Sequence, residues 1–330
     1  MKYSSLTGWG FYVPERIVTN QELEKLMDTS DEWIQERSGI KERRFFEPGK
    51  DTVSSMAAAA SRQAIEKANI KAEDIDMIVM ATLSPDYFFP GSGVLVQRLL
   101  GLKNIPAFDI RQQCSGFIYG LSMADQYIKT GTYKTILVIG AEIQSGIMEI
   151  SDRGRDFAVL FGDGAGAVIL QASDEPGILS THIHSDGEFA EELFMRHPGS
   201  VNPDFVTAEM IESGELLPYM NGRMVFKTAV QKFPEVINEG LKANNLSVKD
   251  IDLFIPHQAN YRITEFVREA LGLPKEKAVS NIHKYGNTTA ATIPIALAES
   301  MEQGLLKKGD LLCLAAFGSG FTWGSAFIRI

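Results

Sequence analysis

The sequence predicts an α/β protein built from two similar halves, and three observations carry that expectation. First, Ala64 to Val79 aligns without a gap with Gly240 to Ile255, at an offset of 176 residues (250 − 74). In that alignment Asn69/Asn245, Asp74/Asp250, Ile75/Ile251 and Asp76/Asp252 are identical. Second, short apolar runs of strand character alternate with helix-like runs in both halves. Third, each half closes on a Gly-rich turn and a final apolar strand. These are Gly162-Asp163-Gly164-Ala165-Gly166 before Ala167-Val168-Ile169-Leu170, and Gly318-Ser319-Gly320 before Ser325-Ala326-Phe327-Ile328. Matches in the same order along both halves mark two copies of one structural plan.

Within the repeat, each copy reads as a helix end, a short polar turn and a buried strand. Leu100-Gly101-Leu102 and Leu271-Gly272-Leu273 follow, then a strand-like segment, a break and a helix rich in small residues. The first such helix begins near Cys114, in Asp109-Ile110-Arg111-Gln112-Gln113-Cys114-Ser115-Gly116-Phe117. The second begins near Asn287, in Gly286-Asn287-Thr288-Thr289-Ala290. Thr135 to Gly140 and Asp310 to Ala315 are the next strands. The polar turn Ser173-Asp174-Glu175-Pro176-Gly177 divides the chain into halves 1–173 and 174–330. Asp186 to Tyr219 has weak periodicity and reads as an irregular insertion between the halves, over the site. In a pseudo-two-fold fold, corresponding helix N-termini point at a shared centre; here they carry Cys114 and Asn287.

The 330 residues are 45% hydrophobic and 22% charged, an ordinary globular composition. Two cysteines exclude a disulfide framework, and no leader-like apolar stretch opens the chain, which suits a reducing cytoplasm. No run approaches the ~18 apolar residues of a membrane span. A net charge of −10 argues against nucleic-acid binding. It also repels an acidic protein partner unless a local basic patch overrides it.

Cys114 stands at a strand-to-helix junction, where the helix dipole is expected to lower the thiol pKa. A buried structural cysteine is the plain alternative. His257, in Phe254-Ile255-Pro256-His257-Gln258-Ala259-Asn260, follows a buried strand directly, which places it at a strand's carboxyl end. Cys, His and Asn together suit two chemistries. One is a papain-like hydrolase, but the Cys-Gly-[Ser/Ala]-Cys-[Trp/Tyr] signature is absent and the repeat is foreign to that scaffold. The other is condensation of thioesters. His182 and His184 share one strand face but lack a third metal ligand in sequence. The Gly162–Gly166 run has the wrong spacing for a dinucleotide fingerprint and reads as tight packing. Cys313 reads as core.

Several segments carry a family resemblance that runs nearly end to end. They include Asp31-Glu32-Trp33-Ile34, Phe108-Asp109 through Phe117, Asp152-Arg153-Gly154, Phe161 to Ala167 and His257 to Ile263. Gly286 to Ala291 and Ala316 to Gly324 complete the set. On these the chain resembles the β-ketoacyl-ACP synthase III family of the thiolase fold. The resemblance implies two pseudo-two-fold-related halves in a five-layered αβαβα arrangement. It implies that Cys114 is acylated by acyl-CoA, with the N–H groups of Cys114 and Ser319 as the oxyanion hole. Malonyl-ACP then decarboxylates, and His257 and Asn287 hydrogen-bond the enolate that attacks the acyl-cysteine. No cofactor is permanently bound; the CoA thioester is substrate. Trp33 and Arg153 resemble the pair that sandwiches the CoA adenine, and Arg37 a phosphate contact. Phe89 resembles the residue that lines the partner's acyl pocket, which implies a homodimer. Arg262 resembles the arginine that docks the acidic carrier, with Lys227, Arg223 and Arg268 extending that patch.

The chain departs from the chain-initiating enzymes at Arg111-Gln112-Gln113, where small residues are usual, at Ser319, usually glycine, and at Arg223, usually asparagine. With Leu83-Ser84-Pro85-Asp86 and Ser151 to Arg155, these residues resemble the branch that includes the quinolone-signal-type ketosynthases. The departures point away from acetyl-CoA and primary fatty-acid initiation, but leave the Cys-His-Asn set intact. Two alternatives on the same scaffold are an acyltransferase or specialised ketosynthase with another donor and acceptor, and a non-catalytic partner subunit.

Overall fold

The computed structural model describes residues 2–196, 199–201 and 206–330. Two sheets divide the chain. The first contains β1 (Tyr3–Tyr12), β2 (Met77–Ala81), β3 (Ala107–Ile110), β4 (Thr135–Glu142) and β5 (Gly164–Ser173), in the order β1-β5-β4-β2-β3. The second contains β6 (Ile178–Ser185), β7 (Leu253–Pro256), β8 (Leu311–Gly318) and β9 (Thr322–Arg329), in the order β7-β8-β9-β6. The orders correspond strand for strand, and a parallel bridge from Phe254 to Ala278 takes the place of β3 beside β7. In both sheets the repeat strand pairs parallel with its neighbour, β2 with β4 and β7 with β8. The next pair, β4 with β5 and β8 with β9, is antiparallel.

Each identity in the repeat has a local cause. Asn69 and Asn245 end their helices in the left-handed region, at φ +53° and +54°, which asparagine tolerates better than most residues. Asp74 and Asp250 accept the N–H groups of Lys71 and Ser247, at 2.8 and 2.7 Å. Asp76 accepts from Thr135 N–H at 3.0 Å, and Asp252 from Leu311 N–H at 2.8 Å. Each thereby pins the start of the neighbouring strand.

The helices are α1 (Asp31–Ser38), α2 (Val53–Lys67), α3 (Ser92–Leu99), α4 (Gly116–Lys129), α5 (Gly222–Ala243), α6 (Tyr261–Leu271) and α7 (Thr292–Glu302). α2 covers the outer face of the first sheet, and α5 and α6 that of the second; α4 and α7 lie between the sheets. The five-layered αβαβα arrangement follows. Strand alternation sorts the side chains. Met77 and Val79 join the central cluster with Phe117, Leu121 and Leu297. Ile78 and Met80 face α2. Leu312 and Leu314 likewise face the centre, while Leu311 and Cys313 face outward towards α5. Between two sheets α4 and α7 need apolar surface on most sides, and α7 buries Thr292 to Ala298 without a break. Cutting Leu121 back to alanine here would cost about 2–5 kcal/mol.

Of the expected insertion, residues 197–198 and 202–205 lie outside the described residues. Around them stand a short helix, Ala208–Ser213, and a small ladder of Leu193–Phe194 with Tyr219–Met220. No described helix is long and apolar enough to cross a membrane.

Candidate active site

Cys114 lies in a 3-10 turn, Gln113–Ser115, between β3 and α4. A second turn, Thr289–Ala291, stands before α7, and the two turns touch. Gln113 and Thr289 occupy repeat-related positions (289 − 113 = 176), and both have left-handed backbones, at φ +42° and +51°. A β-branched residue there is strained by about 1–3 kcal/mol, so surrounding contacts must hold it.

The end of β8 passes against the thiol. A Cβ at Gly318 would stand 2.6 Å from Cys114 Cβ and 3.0 Å from Sγ, so this approach requires glycine. The N–H groups of Cys114 and Ser319 both reach the sulfur. The expected lowering of the thiol pKa is corrected: burial pushes Cys114 up to about 12, the Glu142 carboxylate adds to the rise, and the two amides oppose it. Desolvation of a thiolate in this closed turn outweighs the helix terminus. Glu142, at the end of β4, is itself buried and raised to about 7, although it accepts from Ser84 Oγ at 2.6 Å and from the N–H groups of Leu83 and Ser84. Sequence reading missed it, because nothing in an apolar strand's last residue marks its neighbours.

His257 follows β7, and its N–H donates to Ala315 O at 2.8 Å, fixing it beside β8. Its Nδ1 lies 2.7 Å from Thr292 Oγ1, and its buried Nε2 has no partner among the described residues. Burial pushes the ring pKa down to about 3, so it is neutral at physiological pH. Asn287 is clamped by the Gly-rich motif: its N–H donates to Leu160 O at 2.8 Å, and its carbonyl accepts from Gly162 N–H at 3.1 Å. Its Oδ1 accepts from Thr289 N–H at 2.9 Å, leaving Nδ2 as the donating end. The Gly162–Gly166 run packs as read, since a Cβ at Gly162 would lie 2.3 Å from Tyr285 O. Contacts thus connect Cys114, residues 318–319, Asn287 and His257 in one region, at the carboxyl ends of β3, β7 and β8. Ser319 uses its side chain as well: Oγ donates to Leu193 O and ties the insertion to this loop.

Trp33, on α1, is flanked by two guanidinium groups, Arg37 at 4.7 Å and Arg155 at 5.4 Å from the ring centroid. Arg153, expected across the adenine from Trp33, makes no direct contact with the indole and lines the adjoining cavity. It bonds Glu149, four residues earlier, at 2.5 Å and the Glu212 carbonyl at 2.6 Å. A cavity of about 190 Å³ adjoins, lined in part by Glu149, Arg153, Phe157, Leu217 and Tyr219. Phe89 is 81% exposed and continues an apolar surface with Tyr87 and Phe88.

Arg262 is exposed at the start of α6, with its guanidinium 5.8 Å from the Phe226 ring, and Arg223 and Lys227 are exposed one turn apart on α5. Arg268 does not join them. It is ion-paired with Glu265 at 3.1 Å and Glu269 at 3.0 Å, and donates to Leu273 O. The rings of His182 and His184 both pair with Glu239, at 3.3 and 2.7 Å. Among the described residues no three such groups are arranged to hold a metal ion. Cys313 is fully buried in β8.

Residues 108–187 match the family described as 3-oxoacyl-[acyl-carrier-protein (ACP)] synthase III, and residues 241–330 match its C-terminal part. The β-ketoacyl-[acyl-carrier-protein] synthase III of Alkalilimnicola ehrlichii is 46% identical over 332 residues, spanning 100% of both chains. The protein of that name from Escherichia coli strain K12 is 44% identical over 327 residues, 99% of each. The crystal structure of 3-oxoacyl-[acyl-carrier-protein] synthase III from Aquifex aeolicus VF5 superposes with a TM-score of 0.91 at 43% identity, covering 99% of this chain and 100% of that one.

Proposed function

The chain belongs to the 3-oxoacyl-[acyl-carrier-protein] synthase III family and is a condensing acyltransferase of fatty-acid biosynthesis; we propose that it takes an acyl-CoA as donor and malonyl-ACP as acceptor, with Cys114, His257 and Asn287 as catalytic residues. The reading rests above all on one observation. A thiol that receives two backbone N–H groups adjoins the Thr289–Ala291 turn, beside which Asn287 Nδ2 is left to donate and the buried Nε2 of neutral His257 has no partner among the described residues.

In the first half-reaction Cys114 Sγ attacks the thioester carbonyl. The Cys–S–acyl bond forms, the acyl–S–CoA bond breaks, and the thiol proton leaves with the CoA sulfur. With the thiol at about 12 and His257 at about 3, the resting pair is thiol and imidazole, not thiolate and imidazolium. Once the carbonyl replaces the thiol's hydrogen-bonding position, the N–H groups of Cys114 and Ser319 donate to the developing oxyanion. In the second half-reaction malonyl-ACP loses CO2. The electrons of that C–C bond become the enolate, which attacks the acyl-cysteine and expels the Cys114 thiolate, later protonated from water. His257 and Asn287 donate to the enolate oxygen. A ring that stays neutral suits this role, because it assists negative charge without protonating it fully.

Trp33, flanked by Arg37 and Arg155, is assigned with Arg153 on the adjoining cavity wall to the nucleotide end of the CoA ester. Arg262, Lys227 and Arg223 form the carrier-docking face on an otherwise acidic chain. Phe89 and its exposed aromatic neighbours form part of a homodimer contact. The nucleophile lies on the half 1–173, and the two donors on the half 174–330. The enzyme works in the cytoplasm, without a resident cofactor. The test is intact-protein mass spectrometry with acyl-CoAs from acetyl to octanoyl to aromatic, with and without malonyl-ACP. An adduct on Cys114 that malonyl-ACP discharges as a β-keto product supports the reading. An adduct that malonyl-ACP leaves in place refutes it and favours another acceptor.

A further inference from the structure

One hydroxyl group adjoins the imidazole of His257. Thr292 Oγ1 has one proton and two acceptors within reach, His257 Nδ1 at 2.7 Å and the Thr289 carbonyl at 3.1 Å. If the proton goes to the carbonyl, the hydroxyl must accept from Nδ1–H, and Nε2 is a bare lone pair. If it goes to the ring, Nε2 carries the hydrogen. The Thr289 carbonyl already receives the backbone N–H of Thr292, whereas Nδ1 has the hydroxyl alone. The shorter contact and the unmet acceptor agree.

We propose that Thr292 is a positioning residue, whose hydroxyl donates to His257 Nδ1 and thereby fixes the ring in the tautomer with its proton on Nε2. That nitrogen is the buried one without a partner among the described residues. As N–H it joins Asn287 Nδ2 in donating to an anionic oxygen; as a lone pair it would repel that oxygen. Thr289 supports both donors at once, with its N–H on Asn287 Oδ1 and its carbonyl beside Thr292. The repeat-related position is Gly116 (292 − 176 = 116), so the hydroxyl occurs only in the half that holds the histidine. The inference deepens the proposed function and rests on its reading of His257 as a donor in condensation.

The test uses the full chain labelled with 15N-histidine. Its five histidines are resolved by long-range 1H–15N correlation, with His257→Gln to assign the signal. Wild type and Thr292→Ser should show His257 with Nδ1 bare and Nε2 protonated, and Thr292→Val should lose that pattern. Thr292→Val should still acylate Cys114 within about twofold of wild type. Its condensation with malonyl-ACP should fall about a hundredfold, the scale of one lost oxyanion donor, and Thr292→Ser should restore it. A wild-type spectrum with the proton on Nδ1 overturns the proposal, and needs no variant to fold. So does a valine variant with unchanged tautomer. A valine variant that loses the tautomer yet condenses normally would leave the assignment standing and sink the donor role of His257.

Discussion

Replacing Gly318 with alanine tests whether the β8 terminus sets the position of the thiol. The new methyl carbon would stand 2.6 Å from Cys114 Cβ, 3.0 Å from Sγ and 3.2 Å from Cys114 N. Carbon–carbon contacts settle at about 3.5–4.0 Å, so about 1 Å of retreat is needed. β8 is poorly placed to supply it, being fully buried, paired with β7 and β9, and held in register at Gly318–Thr322. The 113–115 turn must therefore give, carrying the sulfur away from the Cys114 and Ser319 amides. Overpacking of this kind costs about 1–3 kcal/mol. In a chain of this size that lowers Tm by only about 3 °C. A displacement of ~1 Å at a reacting atom, by contrast, slows the chemistry about a hundredfold. The assay is the rate of Cys114 acylation by the acyl-CoA that wild type accepts best, followed by intact mass, beside a thermal melt. Gly187→Ala is the control, since a Cβ there meets nothing within 4 Å. Gly318→Ala acylating within threefold of wild type would refute the reasoning.

Other perturbations follow from the same geometry. With the thiol at about 12, alkylation of Cys114 by iodoacetamide should climb with pH without levelling off below about pH 10, and Glu142→Gln should raise the rate at neutral pH by removing a carboxylate that holds the thiol up. A plateau centred near pH 7 would contradict this. His257 has a folded pKa of about 3, below its unfolded value near 6.5. The unfolded chain therefore binds the extra proton between those values. This group's effect on stability is absent above about pH 6.5 and grows as pH falls, to a loss on the order of 4 kcal/mol near pH 3. Urea melts of wild type against His257→Gln across pH 3–7 should show the shallower acid loss in the variant. Trp33→Ala and Arg155→Ala should each raise KM for the acyl-CoA about tenfold in steady-state assays, with kcat nearly unchanged, as lost ground-state binding does. An effect confined to kcat would point to a role in the chemistry instead.

The sequence by itself determined the architecture. The repeat was legible because each identity serves a local need: Asn69 and Asn245 take the left-handed turn, and Asp76 and Asp252 pin the next strand. Such needs are met within a few residues or at a neighbouring strand end, so they leave a pattern along the chain. Cys114, His257 and Asn287 could be proposed from the sequence for the same reason, each standing where an element ends. The residues Arg111 to Gln113 and Arg223 depart from those usual in chain-initiating enzymes and pointed away from primary fatty-acid synthesis. Full-length likeness at 44–46% identity to β-ketoacyl-[acyl-carrier-protein] synthases III outweighs those few positions.

Only the tertiary structure decided the electrostatics and the choice among neighbouring cations. Cys114 stands at a helix start in the sequence, yet its pKa follows how completely water is excluded and how near Glu142 lies, and both are set by packed segments far apart in the chain. Arg153 and Arg155 are equivalent as letters. One pairs with Glu149, and the other stands against the Trp33 ring. Thr292 was one more small residue in an apolar helix until β7 brought His257 to within 2.7 Å of its hydroxyl. Local conformation is written in adjacent residues; solvation and pairing depend on what the fold places alongside, which no local pattern records.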